Sequence, residues 1–331
     1  SAAMASVPPP LPDYQPLLPT ALKRDGVLSA PQLESVIYAG HAHACHLKGW
    51  FKPSEIAGQL VAAAEDDEGA FRLRKGWFLG DGTGCGKGRQ VAGIIVDNWL
   101  RGRKRAVWVS KSDKLIEVAK RDWMALGGRE SDIVPLWKFR QGSDIRLTEG
   151  ILFVTYATLR SAEREGKASR LDQAVAWLGD GFDGVIAFDE SHAMANAAGE
   201  KSARGDKKAS QQGLAGLALQ NAVPDARILY VSATGATVVG NLAYASRLGL
   251  WGTGDFPFVT QAEFVSSMEA GGIAAMEMIS RDLKALGLYL ARSLSYAGVE
   301  YDMLVHDLTP AQVAIYDSYA DAFQIIHNNL E

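Results

Sequence analysis

A lone lysine closing a glycine-rich turn, and two adjacent carboxylates ending a later apolar run, are the residues of this chain best suited to chemistry. Residues 77–99 read WFLGDGTGCGKGRQVAGIIVDNW, an apolar run that breaks into glycines around Lys87 and resumes with helical periodicity. Gly82, Gly84 and Gly86 lack a Cβ, so the backbone can take positive φ and turn consecutive N–H groups towards an anion. Thr83 and Cys85 lie inside that turn, and Gly88 and Arg89 follow the lysine. Lys87 adds a mobile cation, and a helix starting there aims the positive end of its dipole at the same point. The ligand such a loop suits is a nucleoside triphosphate.

The second group lies at residues 184–192, where GVIAF is followed by Asp189, Glu190, Ser191 and His192. Asp189 can hold Mg2+, directly or through water, and Glu190 can polarise an attacking water; hydrolysis of a triphosphate needs both. Two departures from the strict loop pattern G-x-x-x-x-G-K-[ST] stand against this reading. Asp81 occupies the place of the opening glycine, and Gly88 that of the hydroxyl that ligates magnesium. Thr83 and Ser232 are the candidates to replace that hydroxyl.

Short apolar runs must position these groups. Trp77 to Leu79, Ala106 to Val109, Ile151 to Val154, Gly184 to Phe188 and Ala226 to Val231 read as buried strands. Helical stretches separate them, at Lys114 to Leu126 and Leu171 to Leu178, after the helix that follows the loop. Strands alternating with helices imply an α/β fold with a mainly parallel sheet, where ligands sit at the carboxyl ends of strands. The loop and the acidic pair then share one edge. A helix is expected from Ser29 to His46, with a capping serine and a proline in the first turn, and further helices at Val238 to Leu248, Phe264 to Met268 and about Ile273 to Leu290. His41, His43, Cys45 and His46 have spacings that allow only partial zinc ligation from one helix face, so they read as a helix flank and no structural metal is expected. The basic run RGRKR at 101–105 reads as a solvated helix end matched to the dipole.

Composition sets the frame. The 331 residues are 47% hydrophobic and 22% charged, enough to bury a substantial core, with a net charge of −4 that neither advertises nucleic acid nor excludes it. Two cysteines exclude a disulfide scaffold, and no apolar run is long enough to span a membrane. The cytoplasm is the default compartment, with a nuclear one left open. Residues 1–20 hold half of the twelve prolines and read as extended.

With these motifs in hand, the chain resembles superfamily 2 helicases: motif I as DGTGCGKG at 81–88, motif II as DESH at 189–192 and motif III as SAT at 232–234. WFLGDGTGCGKGRQVAGIIVDNWLRGRKRAVWVS, FDGVIAFDESHAMAN, ARILYVSATGA, YASRLGLWG and YLARSLSYAGVEY are similar to the strawberry notch family of helicase-like NTPases, from Leu28 to Tyr301. That family's loop also reads GKGR. The resemblance implies a RecA-like P-loop NTPase domain at 28–250, an extended lead-in at 1–27, and a helical extension at 251–331 leading towards an absent second RecA-like domain. It implies ATP and Mg2+ as cofactors, and Gln32 as an adenine-reading glutamine. Ser110 and Lys111, and Thr155 with Tyr156, are implied contacts to nucleic acid, DNA ahead of RNA. His192, Ser232 and Thr234 are implied to couple nucleotide state to the grip on the strand. The missing domain would bring the arginine finger, so the chain alone is expected to hydrolyse ATP weakly.

Two other functions compete. An NTPase fold kept as a regulatory or scaffold module in transcriptional control, with little catalysis, is favoured by Gly88 and by the lack of a strongly basic face. A single-domain P-loop kinase or transferase would need its own phosphate-acceptor site, and the SAT tripeptide and the ending argue against it.

Overall fold

A computed structural model describes residues 7–55, 59–161, 168–195, 197, 209–233, 242–293, 300 and 302–329. The chain divides into two compact units, residues 1–294 and 295–331.

The first unit is built on a seven-stranded sheet. Its strands are β4 (Trp77–Leu79), β5 (Arg105–Ser110), β6 (Ile133–Pro135), β7 (Gly150–Thr155), β8 (Val185–Asp189), β9 (Arg227–Val231) and β10 (Tyr289–Leu290), and three earlier strands form a separate small sheet. The order across the sheet is β10-β4-β9-β8-β5-β7-β6, and every pairing is parallel. Strands β4, β5, β7, β8 and β9 are buried along almost their whole length. Continuous apolar runs are what a parallel sheet covered on both faces requires. The expected α/β architecture, a parallel sheet flanked by helices, is the one observed.

Helices α1 (Thr20–Arg24), α2 (Ala30–His43), α3 (Lys87–Leu100), α4 (Ile116–Ala125), α5 (Tyr156–Leu159), α6 (Arg170–Leu178), α7 (Gln211–Ala222) and α8 (Gln261–Ala285) complete this unit. Helix α2 starts on a capping box, in which Ser29 and Gln32 satisfy each other's backbone N–H groups. The lead-in is fastened to the body: Tyr14 Oη and the Leu17 N–H donate to Asp97 on α3, and Tyr38 Oη on α2 donates to the Pro10 carbonyl. His41, His43 and His46 turn to three different partners, Asp13, the Ile228 carbonyl and Asp225, while Cys45 is exposed.

Three sequence expectations need correction. Strands β1 (His46–Pro53), β2 (Leu60–Ala63) and β3 (Phe71–Arg74) pair antiparallel in the order β2-β1-β3, where no sheet was anticipated. The helix expected over 273–290 is the second part of α8, which begins at Gln261, kinks at Gly272 and stops at Ala285. Gly287, at φ 73°, turns the chain so that Tyr289 and Leu290 lie beside β4. The sheet thus takes its edge strand from beyond residue 250, where the sequence reading ended the motor domain. Finally, residues 246–248 form a single 3-10 turn, and residues 238–241 of the helix expected there lie outside the described residues.

The second unit contains α9 (Pro310–Asn328), opened by a capping box between Thr309 and Gln312.

Candidate functional site

Because the sheet is parallel, the segments following β4, β9, β8, β5 and β7 emerge along one edge in that order. They carry, respectively, the glycine loop, Ser232, Asp189 with Glu190, Ser110 with Lys111, and Thr155 with Tyr156. Sequence reasoning placed the glycine loop and the acidic pair at one edge, and the topology does so.

The loop leaves β4 and enters α3 through Gly86, whose φ of 73° is left-handed. A Cβ at Gly86 would also stand 2.5 Å from Gln32 Nε2. Gln32 lies against the loop, donating to the Cys85 carbonyl at 3.3 Å while its Oε1 accepts from the Ser29 N–H at 3.1 Å. Lys87 Nζ donates to the Gly82 carbonyl at 3.3 Å, so the ammonium folds back over the loop it closes. Thr83, Gly84 and Gly86 are exposed on the rim, and Arg89 reaches away to the Val27 carbonyl and Asp122.

Glu190 is the one non-glycine residue with positive φ among the described residues, at φ 51°. A strained backbone of this kind costs on the order of 1–3 kcal/mol and persists where the surroundings fix it. Here the surroundings are bonds that join the two motifs. His192 Nδ1 lies 3.0 Å from Ser232 Oγ and 3.3 Å from Glu190 Oε2, and the Ser232 N–H donates to the Leu79 carbonyl at the end of β4, at 3.0 Å. A line of hydrogen bonds therefore runs from the strand that launches the loop, through Ser232, to His192, whose Nδ1 lies within ion-pair distance of Glu190. Thr234 lies outside the described residues.

Asp189 accepts from Ser110 Oγ at 3.2 Å and from the Glu190 N–H at 3.0 Å. Its pKa is nonetheless pushed up to about 6, by burial first and by the neighbouring Glu190 charge second. The native carboxyl holds its proton more tightly than the unfolded one. Its contribution to stability is therefore present below the ordinary value of 3.8 and lost as pH rises through about 6. Asp189→Asn is expected to stabilise the ligand-free protein by about 1–3 kcal/mol at pH 8, with the gap to wild type closing as pH falls towards 4. Thermal melts across that range check it, and a variant less stable than wild type at pH 8 refutes it.

The implied nucleic-acid contacts fare unevenly. Ser110 and Thr155 are buried and Tyr156 is 1% exposed. The Tyr156 ring stacks on Phe188, and its hydroxyl donates to the Asp189 carbonyl at 2.9 Å. Burial argues against side-chain contact with a strand by these three: Ser110 and Tyr156 bond to Asp189 at the acidic strand end, Thr155 caps α5 by accepting from the Thr158 N–H, and Lys111 alone of the four is exposed.

Two features escaped sequence reasoning. Asp81, read as a defect, is a buried carboxylate paired with Arg292. Gly88, the other apparent defect, faces Asp122 on α4, and a Cβ at residue 88 would lie 2.3 Å from Asp122 Oδ2. Asp122 is held there by its ion pair with Arg89 at 3.4 Å. Gly88→Thr is therefore expected to cost about 2 kcal/mol of stability through overpacking and to leave Mg-ATP binding no tighter. An unchanged melting temperature together with tighter binding would show that Asp122 simply yields.

Residues 1–318 match a family model described as P-loop containing NTP hydrolase pore-1. Mouse protein strawberry notch homolog 2 is 41% identical over 322 residues, covering 97% of this chain and 21% of that protein. The human protein of the same name is 39% identical, with the same coverage. The chain spans about a fifth of the length of these curated relatives. A solved structure of the Sulfolobus solfataricus SWI2/SNF2 ATPase core in complex with dsDNA superposes with a TM-score of 0.43 at 14% identity, covering 66% of this chain and 40% of that one.

Proposed function

The chain belongs to the P-loop containing NTP hydrolase pore-1 family and is homologous to the strawberry notch proteins, and we propose that it is the first RecA-like domain of an ATP-driven motor acting on nucleic acid, DNA ahead of RNA. The observation that carries this reading is the line of contacts from β4 through Ser232 and His192 to Glu190, with the glycine loop and Asp189 on the same sheet edge. Lys87 and the N–H groups of Thr83, Gly84 and residues 86–88 would take the phosphates, the Gly82 N–H being bonded to the Arg292 carbonyl. Gln32, already bonded to the loop, would meet the base end.

Asp189, a carboxyl that ionises reluctantly beside a second one, fits a hard divalent cation as its counter-charge. Mg2+ bound there would neutralise charge on the phosphate oxygens. Glu190 would orient and polarise the attacking water, its backbone strain fixing the direction of the carboxylate. His192, bonded to Ser232 and beside Glu190, would register whether the site is filled and couple this to Lys111 and the neighbouring strand ends. A second RecA-like domain would bring an arginine finger, worth on the order of 10³–10⁵ in turnover. Without it, turnover is expected to be slow.

Calorimetric titration with Mg-ATP tests the site: saturable heat supports it, and heat no larger than dilution overturns it. Turnover of about 1 s⁻¹ by this chain alone with duplex DNA would remove the need for a second domain. Gly88 facing Asp122 favours a second reading, a regulatory module with little catalysis. ATPase activity of the full-length protein that does not respond to DNA would select it.

A further inference from the structure

Asp81 and Arg292 are separated by 211 residues in sequence and form a polar network that touches the loop. The Arg292 Nε and Nη2 groups donate to Asp81 Oδ1 at 3.0 Å and Oδ2 at 2.8 Å, and the Arg292 backbone N–H donates to Oδ1 at 2.9 Å. The other nitrogens reach α2, where Nη1 donates to Glu34 Oε2 at 2.9 Å and to the Pro31 carbonyl, and Nη2 donates to Ser35 Oγ. Nη2 also donates to Gln90 Oε1 on α3, at 3.0 Å. Gln90 is fully buried and completes the circuit, donating from Nε2 to Asp81 Oδ2 at 3.0 Å and to the Cys85 carbonyl at 3.2 Å. That carbonyl is also held by Gln32. On the opposite side, the Arg292 carbonyl accepts the Gly82 N–H at 2.7 Å, which continues the β10–β4 pairing into the loop itself.

We infer that Arg292 is a positioning residue of the phosphate loop and that Asp81 replaces the usual glycine in order to bind it. A carboxylate 1% exposed has to be paired, and the planar fork of a guanidinium can satisfy both of its oxygens while spending its remaining donors elsewhere. The consequence is that three elements, α2, the loop with α3, and the segment leaving β10, are fastened through one side chain. The loop's curvature is then set in advance of any ligand, and binding spends less on ordering it. The inference rests on the reading that the loop holds a triphosphate.

The test uses Arg292→Gln, Asp81→Asn and the double variant of the whole chain. It reads Mg-ATP affinity by calorimetry and amide hydrogen exchange of the nucleotide-free protein. Each single variant is expected to raise Kd at least tenfold, with the double variant within threefold of the weaker single, because both remove the same fastening. Exchange across residues 80–90 should quicken at least tenfold, while amides of β5 and β8 exchange as in wild type. Unchanged loop exchange, additive losses in the double variant, or an equal rise in β5 and β8 would overturn the inference, the last because it would mark only a global loss of stability. Wild-type protein that takes up no Mg-ATP would strike the functional reading instead, and loop exchange would still decide the role of Arg292.

Discussion

Lys87→Ala is expected to weaken Mg-ATP binding about 100-fold while leaving the fold as stable as before or slightly more so. Both halves follow from where the residue sits. Lys87 is the first residue of α3, where the helix dipole is positive and a cation is disfavoured by about 0.3–1 kcal/mol. Alanine relieves that and is also the best helix former. In the ligand-free protein the ammonium makes a single 3.3 Å bond to the Gly82 carbonyl, so little is lost on removing it. Against a phosphate the balance reverses. A charge-assisted hydrogen bond is worth about 1.5–3 kcal/mol, or roughly 10- to 150-fold in affinity. Calorimetry paired with a thermal melt measures both quantities. Unchanged affinity would move the nucleotide elsewhere, and a large drop in melting temperature would make the lysine structural.

What the sequence revealed and what it hid divide along the range of the interactions involved. The loop, α3 and the acidic strand end were legible because each is local: glycines and a lysine within a few residues, or an apolar run with two carboxylates at its end. The parallel sheet followed from counting such runs. Strand β1 was not legible, because HLKGWFKP has neither clean alternation nor a continuous apolar run, and its strand character comes from pairing with β2 and β3. Two-residue β10 carries no periodicity at all and is placed by the groove beside β4. Asp81 and Gly88 looked like damage because their partners, Arg292 and Asp122, are remote in sequence. Tyr156 misled for a related reason. Its place after a strand matched a surface motif, but the hydroxyl that makes tyrosine useful there is bonded to the Asp189 carbonyl under the site.

Arg247 is the residue whose loss should damage the protein most. It is fully buried, and among the described residues its guanidinium is surrounded by backbone carbonyls with no carboxylate bonded to it. Nη1 donates to Arg74, Pro224 and Ala226, and Nη2 to Gln220 and Val223, at 2.5 to 3.4 Å. Gln220 and Val223 lie at the C-terminal end of α7, whose negative dipole end is the natural place for a cation. Burial without a counter-ion lowers the pKa to about 10, still high enough to keep the charge at neutral pH. Arg247→Ala would leave these carbonyls unpaired and open a cavity, at a cost of about 3–5 kcal/mol, or a fall in melting temperature on the order of 10 °C. The damage should reach the site, because the Gly76 N–H donates to the Arg247 carbonyl at 2.8 Å, one residue before the strand that launches the loop. Mg-ATP affinity should therefore fall together with stability in Arg247→Ala, whereas in Lys87→Ala it falls alone. A melting temperature within about 2 °C of wild type would show that water or repacking satisfies those carbonyls, and that the guanidinium is not what ties α7 and β3 to the central sheet.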